Sequence, residues 1–155
     1  MFDIIRCGTE TGIDPKKHGF EKFYTYEQAK NRIATFPEVI AASQKRNAKT
    51  LLMLDDWKFD EGAIKLIAEK KKMCFLIDLS RIIKSYGIRR AVEISKLRNF
   101  LRLCNRFGAF YAFASFSEKE EEIRSSEELQ HIAMLFDINK GQAKFALRML
   151  KEYLG

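Results

Sequence analysis

Four short apolar runs punctuate the chain and predict β-strands: Phe2–Ile5, Leu51–Leu54, Met73–Ile77 and Ala109–Ala114. The last three lack clean alternation, the pattern of strands covered on both faces. Helical periodicity separates them. Glu61–Lys71 places Ile64, Leu66 and Ile67 on a helix, and the run Lys70-Lys71-Lys72 suits its negative C-terminal end. Ile88–Phe107 repeats Leu97, Phe100, Leu101, Cys104 and Phe107 at the spacing of one buried helix face, and Gly108 stops it. From Leu51 to Ala114 the order is therefore strand, helix, strand, helix, strand. That makes two successive βαβ units, which require a parallel sheet with right-handed crossovers.

Beyond Ala114 the pattern turns helical. Ser125-Ser126-Glu127-Glu128 is a capping box, followed by Leu129, Ile132, Ala133 and Phe136 at core spacing. Asn139 with Gln142 marks a further start, and Phe145, Ala146, Leu150 and Tyr153 carry the apolar face to the C-terminus. In the first 50 residues the signals are sparser. Gly8–Gly19, with three Gly and one Pro, reads as a loop and Tyr26–Ile33 as a helix. Pro37–Lys45 fits a helix with Pro at its first position or a strand through Val39-Ile40, with the helix favoured. The strand count is four, extending to five or six.

Composition narrows the class. A chain of 155 residues with 46% hydrophobic side chains suits one α/β domain, 1–155, and excludes disorder and fibrous repeats. No apolar run reaches the roughly 18 to 20 residues of a membrane span. Met1–Arg6 lacks the basic start and long apolar stretch of a secretory signal. Cys7, Cys74 and Cys104 are odd in number and form no CxxC, so they are expected as reduced core thiols in a cytoplasmic protein.

Charge is more informative. The net charge is +7, and the window from Arg81 to Arg106 holds Arg81, Lys84, Arg89, Arg90, Lys96, Arg98, Arg102 and Arg106 against Glu93 alone. That window carries the whole net charge; the remainder sums to zero. From Glu118 to Glu128 the balance reverses, with six Glu against Lys119 and Arg124. Arg98, Arg102 and Arg106 form an i, i+4, i+8 stripe away from the apolar face of their helix. Like charges at that spacing cost a free helix a few tenths of a kcal/mol per pair. Phosphates would neutralise them, and the guanidinium fork suits phosphate oxygens. Arg89 and Arg90 add charge at the helix start, where the dipole also favours anions. A solvated charged face is the alternative. The concentration of the entire net charge in one window favours polyanion binding.

Candidate chemistry is thin. Asp55, Asp56 and Asp78 stand at strand ends, where ligands of parallel α/β folds gather, and could hold a metal ion or act as acid and base. The simpler role is to cap the next helical turn, with Ser80 doing similar work. His18 and His131 lie in unrelated contexts, and no metal, nucleotide-loop or Ser-His-Asp motif is present. Gly8-Thr9-Glu10-Thr11-Gly12 lacks the third glycine of a dinucleotide loop. No metal or other cofactor is expected. Phe110-Tyr111-x-Phe113 could stack on bases but reads as core, whereas Trp57, after two Asp, is expected to be more open.

Phe75-Leu-Ile-Asp-Leu-Ser-Arg-Ile-Ile-Lys-Ser-Tyr-Gly-Ile-Arg-Arg-Ala91, Ser95-Lys-Leu-Arg98 and Leu101-Arg-Leu-Cys-Asn-Arg-Phe-Gly108 together resemble the third protein component of archaeal ribonuclease P. The likeness continues through Ala112-Phe-Ala-Ser-Phe-Ser117, Ile123-Arg-Ser-Ser-Glu-Glu-Leu129 and Met134-Leu-Phe-Asp-Ile-Asn-Lys-Gly-Gln-Ala143, covering about residues 73–150. The resemblance implies a TIM-barrel-like fold, in reduced or open form because the strands are too few for eight βα units, with a C-terminal helix pair. It also implies a non-catalytic, RNA-binding subunit that assists a catalytic RNA in removing 5′ leaders from precursor tRNA. Its partners would be that RNA, precursor tRNA and another small ribonuclease P protein. Open sheet edges could also pair with a second copy.

The expected RNA contacts are Arg81, Lys84, Arg89, Arg90, Lys96, Arg98, Arg102, Arg106 and Arg124. Two departures from the family bear on them. Phe116 replaces the Gly of a Ser-Ser-Gly-Ala loop, with an acidic run from Glu118 to Glu122 beside it, and Ser126 stands where Pro is usual. Two other readings stay open: a small metal-dependent phosphoesterase using Asp55, Asp56 and Asp78, and a protein-interaction module whose basic helix meets an acidic partner or its own Glu118–Glu128 segment.

Overall fold

The computed structural model describes residues 1–7, 12–44, 49–58, 60–70 and 73–155. Its elements run β1 (Phe2–Ile5), β2 (Lys22–Thr25), α1 (Tyr26–Ala29), β3 (Ile33–Phe36), α2 (Val39–Ser43), β4 (Thr50–Leu54), α3 (Glu61–Lys70) and β5 (Met73–Asp78). Then follow α4 (Ser80–Ile83), α5 (Gly87–Phe107), β6 (Phe110–Ala114), α6 (Ser126–Met134), α7 (Lys140–Arg148) and α8 (Leu150–Leu154).

Every strand pair is parallel. β3, β4, β5 and β6 form one four-stranded sheet in that order, and β1 pairs with β2. The segment after β6 joins the two sheets. Phe116 N donates to the Ile4 carbonyl at 2.9 Å, Arg6 N donates to the Ser117 carbonyl at 2.8 Å, and Ile5 bridges Ser117 in parallel. The spatial order is thus β2-β1-β6-β5-β4-β3, with no pairing between β2 and β3 among the described residues. This is a mixed α/β fold with the geometry of an open, reduced barrel.

Asp3 fastens the join. Its fully buried carboxylate accepts from Ser115 N at 2.7 Å and Ser115 Oγ at 2.5 Å, and also from Ile4 N at 2.9 Å. Burial, the largest influence, pushes this carboxyl from 3.8 up to about 7 against the pull of those hydrogen bonds.

The missing alternation in the central strands follows from their two buried faces. On one face Leu52, Phe75, Ile77 and Phe113 pack with Ile64, Ile67, Leu97, Phe100, Leu129 and Ala133 from the helices. On the other, Ile4, Leu51, Cys74, Leu76, Ala112 and Ala114 meet Met149, Leu150 and Tyr153. Small residues on three of those inner positions leave room for the C-terminal helix.

Several sequence expectations are corrected. β2 and β3 were not among the predicted strands. The Tyr26–Ile33 helix ends at Ala29, continues as a 3-10 turn over Lys30–Arg32, and becomes strand at Ile33. Its start has a clear cause, a Thr25–Gln28 capping box. Val39–Ser43 is helical, as favoured, and Lys45 lies outside the described residues. Residues Gly8 to Thr11 and Lys71-Lys72 also lie outside them; the rest of the Gly8–Gly19 stretch contains a 3-10 turn, Pro15–His18, capped by Asp14. Phe145, expected on the apolar face that runs to the C-terminus, is 55% exposed, and Leu66, on α3 as expected, is 51% exposed. Trp57 is buried, because the chain after β4 turns back and sets its ring edge-on to Phe100 at 4.9 Å. The C-terminal pair is three helices, since the chain breaks at Met149 between α7 and α8.

Candidate nucleic-acid interface

α5 is the scaffold for the basic set. Gly87, at φ +61°, takes the left-handed turn that admits the chain from Tyr86, and Gly108, at φ +75°, closes the helix through a bond to the Cys104 carbonyl. Leu97, Phe100, Leu101, Leu103 and Cys104 bury the inner face, so Arg98, Arg102 and Arg106 project outward.

The nine predicted cations do not stand alike. Arg81 is a structural tie: its guanidinium donates to the carbonyls of Leu54 and Asp55, both at 3.1 Å, and pairs with Glu93 at 3.3 Å. Lys84 lies between Glu118 at 3.6 Å and Glu122 at 3.8 Å. Lys96 pairs with Asp56 at 3.3 Å, and Arg98 with Asp137 at 3.0 Å and the Leu135 carbonyl at 3.1 Å. Arg90 is half-buried and donates to the Ile83 carbonyl at 3.1 Å. Arg102 donates to the Asn99 side-chain oxygen, its one bond among the described residues, and Arg106 lies over the Phe107 ring at 5.5 Å. Arg89 and Arg124 are exposed, and neither they nor Arg102 and Arg106 make an ion pair among the described residues.

Magnitudes order this set. Exposed ion pairs contribute about 0 to 1 kcal/mol, so a polyanion competes easily for Lys84, Lys96 and Arg98. Arg81 would forfeit two carbonyl bonds as well, and stays where it is. The readily available cations are Arg89, Arg102, Arg106 and Arg124. Two cavities of about 310 Å³ open beside the first three: Ser80, Arg81, Lys84, Ser85, Arg89 and Glu93 line one, and Glu61, Asn99, Arg102, Leu103 and Arg106 the other. The first presents hydroxyls and cations together, the donor set of a phosphate site.

Two of the strand-end carboxylates serve the fold. Asp56 is taken by Lys96, whereas Asp55 is exposed and contributes its backbone carbonyl, which accepts from Arg81. Asp78 accepts from Ser80 N at 2.9 Å and Ser80 Oγ at 2.5 Å, which is the capping role; burial raises its carboxyl and these bonds oppose the rise. Among the described residues no three His, Cys, Asp or Glu side chains converge as metal ligands would. Phe116, at the family's glycine position, adopts φ +49°, so the chain keeps a left-handed turn there with a phenylalanine. Its ring is buried and the Arg6 guanidinium stacks 5.4 Å from its centroid.

A second cation stripe escaped the sequence reading. Lys140, Lys144, Arg148 and Lys151 are all exposed on α7 and α8. The signal was available: three of them recur at i, i+4, i+8, and no acid lies between Asp137 and Glu152. Acids elsewhere in the chain balance these cations, so the net charge does not show the stripe. Tyr111 and Phe113 are core as expected, but Phe110 is 39% exposed and its ring lies 6.4 Å from that of Phe145.

No helix among the described residues is long and apolar enough to cross a membrane. No family model matches the sequence, and no curated protein matches it. In structure the chain is similar to a chain from the cryo-electron-microscopy structure of archaeal ribonuclease P with mature tRNA. The TM-score is 0.73 at 13% sequence identity, covering 99% of this chain and 90% of that one. The likeness is one of fold and runs the length of both chains, well beyond the 73–150 span on which the sequence resemblance rests.

Proposed function

We propose that this chain is an RNA-binding protein subunit of ribonuclease P that assists the RNA-catalysed removal of 5′ leaders from precursor tRNA. The observation that carries the reading is the whole-length likeness of fold to a chain of archaeal ribonuclease P. The cation-bearing face of α5 supports it independently. In this reading Arg89, Arg102, Arg106 and Arg124 bind backbone phosphates directly. Lys84, Lys96 and Arg98 join them by leaving their acidic partners. Such contacts give affinity and position rather than sequence readout, as expected for A-form RNA. The chemistry belongs to the RNA, and of the protein's own strand-end carboxylates Asp56 is occupied in pairing and Asp78 in capping. Among the described residues β2 and β3 do not pair with each other, and the two ends of the strand order they form are the surfaces offered to a second small ribonuclease P protein or to a copy of this chain. The cytoplasm is the compartment in which these partners meet.

Salt dependence tests the assignment of the face. Replacing Arg89, Arg102 and Arg106 together by Ala is expected to weaken binding to ribonuclease P RNA. The slope of log K against log[salt] should flatten by about 2 to 3, at about 0.7 to 0.9 per lost phosphate contact. Titration of the labelled RNA at several salt concentrations measures it. An unchanged slope removes α5 from the interface.

A further inference from the structure

The second cation stripe borders a groove that the duplex-binding face of α5 does not use. Two cavities, of about 430 and 510 Å³, open side by side and share Phe110 and Phe145 as their common wall. The first is also lined by Asn105, in the last turn of α5 that carries Arg106. The second is lined by Lys49, Arg148, Tyr153 and Glu152, so two cations there outweigh one carboxylate. Phe145 is 55% exposed on a helix whose other apolar residues are buried, and its ring meets Phe110 at an interplanar angle of 38°, leaving ring faces open to the cavities. Asn105 Oδ1 accepts from the Tyr111 hydroxyl at 3.0 Å, which leaves its amide N–H₂ to donate.

We propose that this groove binds an unpaired, single-stranded segment of RNA, with bases against Phe145 and Phe110 and phosphates on Lys49, Lys144 and Arg148. The inference rests on the RNA-binding reading above and extends it from paired to unpaired nucleotides. Charge complementarity selects the occupant. Lys140, Lys144, Arg148 and Lys151 make no ion pair among the described residues. Glu21 is bonded at 2.6 Å to the N-terminal ammonium, which chiefly holds its carboxyl down, with Lys151 and Arg148 adding smaller pulls. An uncharged apolar partner would cover the rings and leave the cations unmatched. A single strand supplies both a π-face for each ring and a phosphate for each cation, the combination found in sequence-tolerant single-strand sites. Continuity also favours it. Asn105 and Arg106 are adjacent, so a strand leaving a duplex held on α5 reaches the groove within one helical turn.

Binding of two fluorescein-labelled probes tests this: a 12-nucleotide oligoadenylate, and a perfectly paired RNA hairpin closed by a tight tetraloop. Phe145→Leu keeps an apolar side chain at an exposed position and removes the ring. It is expected to weaken oligoadenylate about 5- to 160-fold, the range for losing one base-stacking contact, and to leave the hairpin unchanged. Phe145→Tyr should retain oligoadenylate binding. Replacing Arg102 and Arg106 by Ala should weaken the hairpin more than the oligoadenylate. Equal oligoadenylate affinity in Phe145→Leu and the parent chain overturns the proposal. So does a loss with Lys144→Ala and Arg148→Ala that no ring substitution reproduces, which would make the groove a plain electrostatic surface. Hairpin binding with no oligoadenylate binding overturns this inference alone, whereas failure of both probes overturns the RNA-binding reading with it.

Discussion

Replacing Asp3 by Asn is expected to level the pH dependence of stability between about pH 4 and pH 7. Burial raises the Asp3 carboxyl from 3.8 in the unfolded chain to about 7 in the folded one. Within that interval the folded chain therefore holds a proton that the unfolded chain has released. Stability contributed by this group is full below about pH 4, falls as pH rises, and is lost above about pH 7. A displacement of about three pH units corresponds to roughly 4 kcal/mol in total, at about 1.4 kcal/mol per unit. The protonated carboxyl fits its surroundings: its O–H can donate to Ser115 Oγ, which then donates to Ser117 Oγ at 2.8 Å, and Ser117 Oγ in turn to the Glu122 carbonyl at 3.4 Å. Asparagine preserves the acceptor for Ser115 N and places a donor near Ser115 Oγ, but it does not ionise. Urea unfolding of both proteins at pH 4.5 and pH 8 should show the variant gaining on the parent by a few kcal/mol across that range. Asp78, whose carboxyl is also raised, is present in both; its charge adds to the rise at Asp3, so the difference reads Asp3 together with that coupling. Parallel pH profiles would mean that Asp3 is ionised throughout, and that the β1–β6 join tolerates a buried charge.

Phe100→Ala is expected to cost about 3 to 5 kcal/mol, a large share of the stability of a domain this size. Phe100 is fully buried on α5 and stands edge-on to two rings, Trp57 at 4.9 Å and Phe75 at 4.8 Å. Its loss removes the burial of one ring and both aromatic contacts, in a place where sheet, helix and the chain after β4 meet and cannot all close inward. Because Arg98 and Arg102 flank Phe100 on the same helix, RNA affinity should fall with stability as temperature rises. Denaturant midpoints measure the first effect directly. A loss below about 1 kcal/mol would show that Phe100 does not join α5 to the sheet.

The contrast between these residues and the cation set shows what a sequence displays. Leu51–Leu54, Met73–Ile77 and the Leu97–Cys104 face were legible because burial on both faces of a central strand, or one face of a long helix, writes itself into local periodicity. β2 and β3 were not. Each has four residues and stands at a sheet edge, and β3, Ile-Ala-Thr-Phe, is only partly buried, so its composition differs little from a loop's. Trp57 misled because two aspartates before it suggested solvent, whereas the Trp57–Phe100 contact joins residues far apart in sequence. The basic stripe was visible at i, i+4 spacing, but its neutralisation was not. Asp137 reaches Arg98 and Asp56 reaches Lys96 across the fold, at separations no helical repeat reveals. Arg81 looked like one more phosphate ligand until its two carbonyl partners were placed.

The central claim is that this chain works on ribonuclease P RNA. Recovering the protein from its native cells under gentle salt, and sequencing the RNA that comes with it, tests that most directly. The expected result is strong enrichment of ribonuclease P RNA, accompanied by precursor tRNA and reduced when Arg89, Arg102 and Arg106 are replaced by Ala. Recovery without RNA, or with RNA unrelated to tRNA processing and indifferent to those substitutions, would contradict it.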